Sequence, residues 1–384
     1  MEKDKFPLRL FAVQMFYFSG QAIYNTYINL YMSSIGFTVS QIGLIISVST
    51  GFLLLAQYGW GVISDRTKEK NRIILLMYVV CIVVAPLFYL SKEYLPVMLL
   101  FTVFSIFFVP IVPLNDNITL ELIEKSRWDY GKIRMGGTIG YAVTVLIIGY
   151  VLRDRYDQIF WMVSLMTFLC LVAALRIKPV QGYKNRKNRS SIKLVLKNKN
   201  LMGLIVFYLM FGLGTSFFYN FYSIYFTSIG GGSGDIGMMM FVCSVAEIPC
   251  LWLMYRLVKR FGVYNILLLA GGMTSLRWIL LFILKQPVLI ILANGLHGFG
   301  FTAFTYCLLN YINAKVPKDL RATSQVFNAM ISTICSKLIF GYLGGIACEL
   351  VGTNNMMLFS GVLMIAATLL FGFWGYSRRA ELSF

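Results

Sequence analysis

Six ionisable side chains stand where an apolar chain should carry none. Asp116 lies in the stretch PLNDNITL between Asn115 and Asn117, and Glu247 lies in VCSVAEIPCLWL. Arg277, His297 and Lys337 each fall within a further long apolar run, and Arg134 opens another. A charge in hydrocarbon is costly, so such residues should face a cavity or a partner. One reading is structural, with salt bridges holding helices together. The other is a water-accessible central cavity that contains most of the charges. The second is favoured because Glu247, Arg277 and Lys337 all fall near the middle of runs that alternate in direction. A carboxylate keeps its proton in a dehydrated site and releases it beside Arg or Lys, so Glu247 and Asp116 are the candidate proton carriers, with Lys337 in the same coupling set. Arg277 and Lys337 would serve as counter-charges or hold an anionic substrate. His297 would either titrate or, as a neutral imidazole, hydrogen-bond a substrate or a neighbouring helix.

A softer polar lining accompanies these charges. Gln21 and Asn25 are four residues apart, hence on one helical face, with Gln14 and Asn29 above and below them. Tyr219, Asn220 and Tyr222 interrupt a later run, as do Asn294, Tyr306 and Asn310. Amides and phenols suit hydroxyls, carbonyls or carboxylates, and aromatic faces suit a flat ring or sugar. The plainer alternative is that each satisfies a polar group between helices.

The elements that must position these residues follow from composition. Hydrophobic residues make up 58% of the 384-residue chain and charged residues 13%, about half the charged share of an ordinary soluble domain. A lipid bilayer is the expected solvent. About 20 residues cross the hydrocarbon as a helix. With that length the chain divides into spans near 8–31, 40–63, 73–90, 95–120, 134–152, 158–177, 202–226, 235–256, 264–284, 287–311, 324–348 and 354–376. The start, MEKDKFPLRLF, does not read as a cleaved signal peptide.

The formal charge of +18 does not point to nucleic acid, because the basic residues sit in short segments between apolar runs. With the N-terminus cytoplasmic, one side collects Lys3, Lys5 and Arg9, then Arg66, Lys68, Lys70 and Arg72, then Lys125, Arg127, Lys132 and Arg134. The run Arg176 to Lys199 and the later pairs Lys259–Arg260 and Arg378–Arg379 join them; the other side holds only Lys92, Arg153, Arg155 and Lys285. This bias predicts a multi-pass protein of a bacterial-type cytoplasmic (inner) membrane with both termini in the cytoplasm. The expected organisation is a six-helix bundle over 1–177, a basic cytoplasmic linker over 178–200 and a second six-helix bundle over 201–384. Within the linker, Ser191 to Lys199 reads either as an interfacial amphipathic helix meeting anionic lipid or as a solvated connection. The seven cysteines form no CxxC pair and read as small buried hydrophobes. Neither a metal nor an organic cofactor is called for. A GxxxxGK[ST] loop is absent from the sequence, which argues against an ATP-driven pump unless separate subunits supply it.

Several motifs resemble the major facilitator superfamily, in the branch that holds lactose permease-like, nucleoside–proton and phenylpropionate-type transporters. The turn Gly61-x3-Asp65-Arg66, followed by Lys68, Lys70 and Arg72, is similar to the superfamily loop after span two. The resemblance implies a gating role for Gly61, Asp65 and Arg66. The segment from Pro113-Leu114-Asn115-Asp116 to Tyr130-Gly131-Lys132-Ile133-Arg134 resembles spans four and five of the lactose permease-like members, which implies a substrate-binding carboxylate at Asp116 and a partner arginine at Arg134. Glu247, Arg277, His297 and Lys337 fall on that branch's charged residues. One departure is Gly300, which stands where the lactose permease-like members have a proton-carrying glutamate; coupling would then rest on Glu247 or Asp116, or transport would be uncoupled. His297-Gly298-Phe299-Gly300-Phe301 is closer to the phenylpropionate and nucleoside side. The resemblance implies an all-α membrane fold of twelve helices and a secondary transporter, not an enzyme. Its expected cargo is a small polar or weakly acidic organic solute, carried with protons by a monomer surrounded by lipid. A proton-antiport efflux carrier is the alternative.

Overall fold

The apolar runs of the sequence become helices, the one backbone form that satisfies its own N–H and C=O groups locally in lipid. The structure, a computed structural model, describes residues 6–124, 128–152, 155–181 and 192–382. The first half holds α1 (Leu8–Ser34), α2 (Val39–Arg66), α3 (Lys70–Leu87), α4 (Tyr94–Phe108), α5 (Ile111–Ile123), α6 (Tyr130–Leu152) and, after a 3-10 turn at Tyr156–Gln158, α7 (Ile159–Leu175). The second half holds α8 (Ile192–Lys197), α9 (Lys199–Ser228), α10 (Ser233–Ile283), α11 (Pro287–Ala293), α12 (Leu296–Lys315) and α13 (Lys318–Ala329). A π-helical segment, Met330–Cys335, leads into α14 (Ser336–Val351), then α15 (Thr353–Tyr376) and α16 (Arg379–Leu382). Among the described residues, nine helical stretches are long and apolar enough to cross a membrane.

Three expected spans are interrupted. The run expected at 95–120 divides between α4 and α5, where Pro110 and Pro113 cannot donate to the preceding turn. Asp116 therefore sits in the second turn of a fresh helix. The run expected at 287–311 breaks at Asn294 and Gly295, and that at 324–348 contains the π-helical segment just before Lys337. Conversely, the runs at 235–256 and 264–284 meet at a single non-helical residue. Gly262 has φ +79°, a value that residues with a Cβ rarely adopt. Within the segment Ser191 to Lys199, α8 covers Ile192–Lys197, and Ser191 lies outside the described residues.

The chain divides into two compact units: Met1–Thr38 with Ile45–Arg186 and Gly232–Gly237, and Val39–Leu44 with Lys187–Gly231 and Met238–Phe384. In the first, α1 is the central helix, buried along most of its length against α6 and α7. Glycines make the close approach to α6 possible. A Cβ at Gly136 would lie 2.7 Å from the Phe11 carbonyl oxygen, and one at Gly140 would overlap that of Met15. These glycines form the small-xxx-small spacing that draws membrane helices together. Aromatic rings fill the remainder, with Phe88 stacked on Phe160 at 4.4 Å between centroids and Tyr24 against Phe104 at 4.6 Å. In the second unit α9 is central, packing on α14 and α15. Phe207 stacks on Phe371 at 4.3 Å, and Phe211 on Phe304 at 4.6 Å. Large apolar side chains such as Leu55, Trp252 and Phe373 are exposed, an arrangement that suits lipid and that water would not tolerate over so wide a surface.

Candidate functional site

In the first unit, α1, α5 and α6 bring Asp116 and Arg134 into one polar group. The Gln14 side-chain amide donates to Asp116 Oδ1 at 2.9 Å. The Tyr130 hydroxyl interacts with both Asp116 and Arg134 and links the two. Arg134 lays its guanidinium 3.7 Å from the centre of the Phe18 ring, a cation–π contact that strengthens where water is scarce. Gly137 permits it, since a Cβ there would meet both the Arg134 side chain and Phe18. Farther along α1, Gln21 donates to the Tyr17 hydroxyl at 3.4 Å, and Tyr17 in turn donates to the Phe108 carbonyl at the end of α4. Asn25, one turn beyond Gln21, is exposed on a helix otherwise largely buried. The Asp116 carboxylate thus keeps neutral donors, while Arg134 sits one hydroxyl away. Such a group can bind a hydroxylated or weakly charged solute by exchanging one of these partners for it.

The second unit carries a linear arrangement of charge. Arg277 on α10 is 1% exposed. Its Nε and one terminal nitrogen both donate to Asn294 Oδ1, at 3.0 and 2.6 Å, and the other terminal nitrogen meets His297 Nδ1 at 3.2 Å. Phe218 and Trp278 flank it, with ring centres 4.4 and 4.5 Å away. The break between α11 and α12 makes this possible, because it turns Asn294 and His297 toward one guanidinium while His297 N–H still donates to the Asn294 carbonyl. A guanidinium has no acceptor to offer. His297 Nδ1 must therefore accept, and the network assigns the proton to Nε2. That nitrogen lies 3.2 Å from the Tyr219 hydroxyl and 3.8 Å from Glu247 Oε1. Glu247, with 28% of its side chain exposed, is separated from a fixed buried cation by one neutral imidazole.

Other expected residues lie on α9, α12 and α14 and at the end of α2. Asn220 is buried on α9, with its own polar contacts. Lys337 is exposed on α14 and forms no ion pair among the described residues. Gly300 is closed to any side chain without a shift, since a Cβ there would lie 2.5 Å from Thr274 Oγ1. At the end of α2, Gly61 has open space around its α-carbon and Arg66 is exposed; the Asp65 side chain lies outside the described residues. The neighbouring Lys70 is held in place by its contacts to α5. It is 3% exposed, pairs with Glu121 on α5 at 2.5 Å and donates to Asn117 at 2.8 Å. Asn71 holds residues 178–180, donating to the Lys178 carbonyl and accepting from the Val180 N–H.

Sequence reasoning identified the charges but not the links between them. Tyr130 appeared only inside a motif, and Glu121 did not stand out, because it lies four residues past Asn117 in a segment already rich in polar groups. The i, i+4 spacing of Asn117 and Glu121 was the available signal.

Known proteins of similar sequence and fold carry the assignment further. The chain is 26% identical over 348 residues to the uncharacterized transporter YwbF of Bacillus subtilis (strain 168), covering 89% of this chain and 86% of that protein. It is 26% identical over 314 residues to the maltose permease of Geobacillus stearothermophilus, covering 79% and 78%. The structure resembles that of the nucleoside transporter NupG with a TM-score of 0.81 and 16% sequence identity, over 97% of this chain and 98% of that one. At that identity the likeness establishes the fold alone, which is that of the major facilitator transporters. The sequence profile of the MFS_1 like family matches residues 8–359, and the chain belongs to this family of multi-pass membrane secondary transporters, which are not enzymes.

Proposed function

We propose that the protein carries a small polar or weakly acidic organic solute across the cytoplasmic membrane by alternating access, in symport with protons. Dividing α10 at Gly262 and adding α1 and the α13–α14 stretch to the apolar helices gives twelve crossings, read as two six-helix bundles joined by the basic segment 178–200. The clustering of Lys and Arg on one side of these crossings supports both termini in the cytoplasm. The working unit is read as a monomer within lipid, with no cofactor.

The observation that carries the coupling is the order Glu247, His297, Arg277. With Glu247 ionised, its charge is drawn toward Arg277 through the polarised imidazole, and the Nε2 proton of His297 is directed to the carboxylate. With Glu247 protonated that attraction is lost, and the Tyr219 hydroxyl becomes the better acceptor for Nε2. Proton uptake at Glu247 thereby changes what α9, α10 and α12 hold in common, as alternation between two arrangements requires. Recognition of the solute is assigned in the first unit to Asp116, Tyr130 and Arg134 with Gln14, Gln21 and Asn25 of α1, and in the second unit to Asn220, Arg277 and His297. Lys337, exposed and cationic, would attract an acidic group. The maltose named for one relative supports an organic solute with several hydrogen-bonding groups. Gly61, Asp65 and Arg66 keep the proposed gating role.

The test is a solute panel in proteoliposomes, with and without an imposed pH gradient. The expected result is accumulation of one solute class, driven by an inward proton gradient. Glu247→Gln should lose that accumulation yet retain exchange of labelled for unlabelled solute, which moves no net protons. Full gradient-driven accumulation by Glu247→Gln would remove Glu247 from the mechanism.

A further inference from the structure

One feature of the second unit plays no part in this transport scheme. Along the outer side of α9 and α15, where Phe207 and Phe371 hold the helices together, a groove of about 590 Å³ opens toward the start of α9 and the end of α15. Its walls are apolar, formed by Met202, Val206 and Met210 on one side and Leu363, Leu370 and Trp374 on the other. Gly203 shapes the floor. The indole of Trp374 lies directly against its α-carbon, in space that any Cβ would occupy. Val206 and Leu370 remain 53% and 70% exposed, so the groove is open along its outer side.

The mouth is of a different character. Lys199 and Arg378 both line it, at the first residue of α9 and two residues past the end of α15. Arg378 is steered by Trp374, whose ring centre lies 5.0 Å from the guanidinium carbon. Neither cation forms an ion pair among the described residues. The nearby carboxylate of Glu381 instead accepts from the Asn200 side chain at 2.6 Å. Leu196 of α8 adds an apolar residue at the same end.

We propose that this groove holds one acidic phospholipid, with an acyl chain along α9 and α15 and its phosphate between Lys199 and Arg378. Dimensions support this occupant. The α9 wall runs from Lys199 to Met210, roughly 16 Å at the rise of a helix, close to the ~15 Å of one leaflet's hydrocarbon. A chain seated in the groove therefore reaches the membrane midplane while its head stays at the interface. Charge supports the class of lipid. Two cations without carboxylate partners favour a net-negative head, and a zwitterionic head would bring its ammonium group against them. Because α8 borders the mouth, the same lipid would fasten the end of the linker to the second unit.

The test is native mass spectrometry of the full chain in mild detergent, titrated with phosphatidylglycerol or with phosphatidylcholine of the same acyl chains. The wild type should retain one phosphatidylglycerol more tightly than phosphatidylcholine. The double variant Lys199→Gln, Arg378→Gln should weaken phosphatidylglycerol by about thirtyfold, at roughly a fivefold loss per basic residue, and leave phosphatidylcholine unchanged. Filling the groove through Val206→Trp with Leu370→Trp should also displace phosphatidylglycerol although both cations remain. Loss in the charge variant but not in the filled one would place the head on a basic surface without the groove and overturn the proposal. Equal retention of the two lipids by the wild type would do the same. Unchanged thermal unfolding in lipid-free detergent checks that each variant is folded.

Discussion

Asp116 and Glu247 are both carboxylates in membrane helices, and the different roles proposed for them rest on their different surroundings. Asp116 is surrounded by donors that a solute can replace, namely the Gln14 amide and the Tyr130 hydroxyl. Asp116→Asn keeps the shape and removes the charge; it should weaken solute binding roughly tenfold to a hundredfold, the range expected for a charge-assisted hydrogen bond. Equilibrium binding in detergent measures this without a gradient, and unchanged affinity would move recognition elsewhere. Glu247 is poised beside a histidine whose tautomer is dictated by Arg277, so its substitution should show in coupling more than in affinity. The sequence made both carboxylates visible because charges inside apolar runs are rare. It could not show that Arg134 reaches Asp116 through Tyr130, since which side chains meet across α5 and α6 depends on the helix break near Pro110. Gly300 is a further case. Its type was plain in the sequence, but only the packed neighbour, Thr274, explains why a side chain does not fit there.

At the scale of elements, hydropathy located the helices well and their interruptions poorly. The breaks at 109–110 and 294–295 and the π-helical segment before Lys337 are changes in hydrogen-bond register, and composition does not encode register. The single-residue joint at Gly262 lies between two expected spans whose separation looked longer. Gly262→Ala should destabilise the protein by about 1 kcal/mol, because its φ lies in the left-handed region. The α1–α6 contact should be more sensitive. Gly140→Val would push α6 off the Met15 carbonyl, and overpacking of this kind typically costs ~1–3 kcal/mol. The Lys70–Glu121 pair gives a third expectation. Lys70→Met alone should cost about 3 kcal/mol by leaving Glu121 without its cation, and the double variant with Glu121→Leu should recover most of that. Thermal unfolding in a fixed detergent, compared among variants, checks all three. A double variant no more stable than Lys70→Met alone would show that Lys70 acts through Asn117 instead.

Over the whole molecule, the distribution of charge carries a prediction about orientation. In a cysteine-free background, a cysteine placed at Lys92 should react with an impermeant thiol reagent added outside intact cells, and one placed at Lys68 should react only after the membrane is opened. The reverse pattern would invert the proposed topology. The position of α1 has a separate consequence, for the protein's synthesis. This helix falls outside the stretches apolar enough to cross a membrane on composition alone, and it carries Gln14, Thr26 and Asn29 on its buried side. Its main partners, α6 and α7, begin about a hundred residues later in the chain. At a translation rate of ~5–20 residues per second, α1 waits on the order of 5–20 s in the membrane before those partners emerge. Nascent chains arrested after α5 should thus still have α1 within crosslinking reach of the insertion machinery, and chains arrested after α7 should have released it.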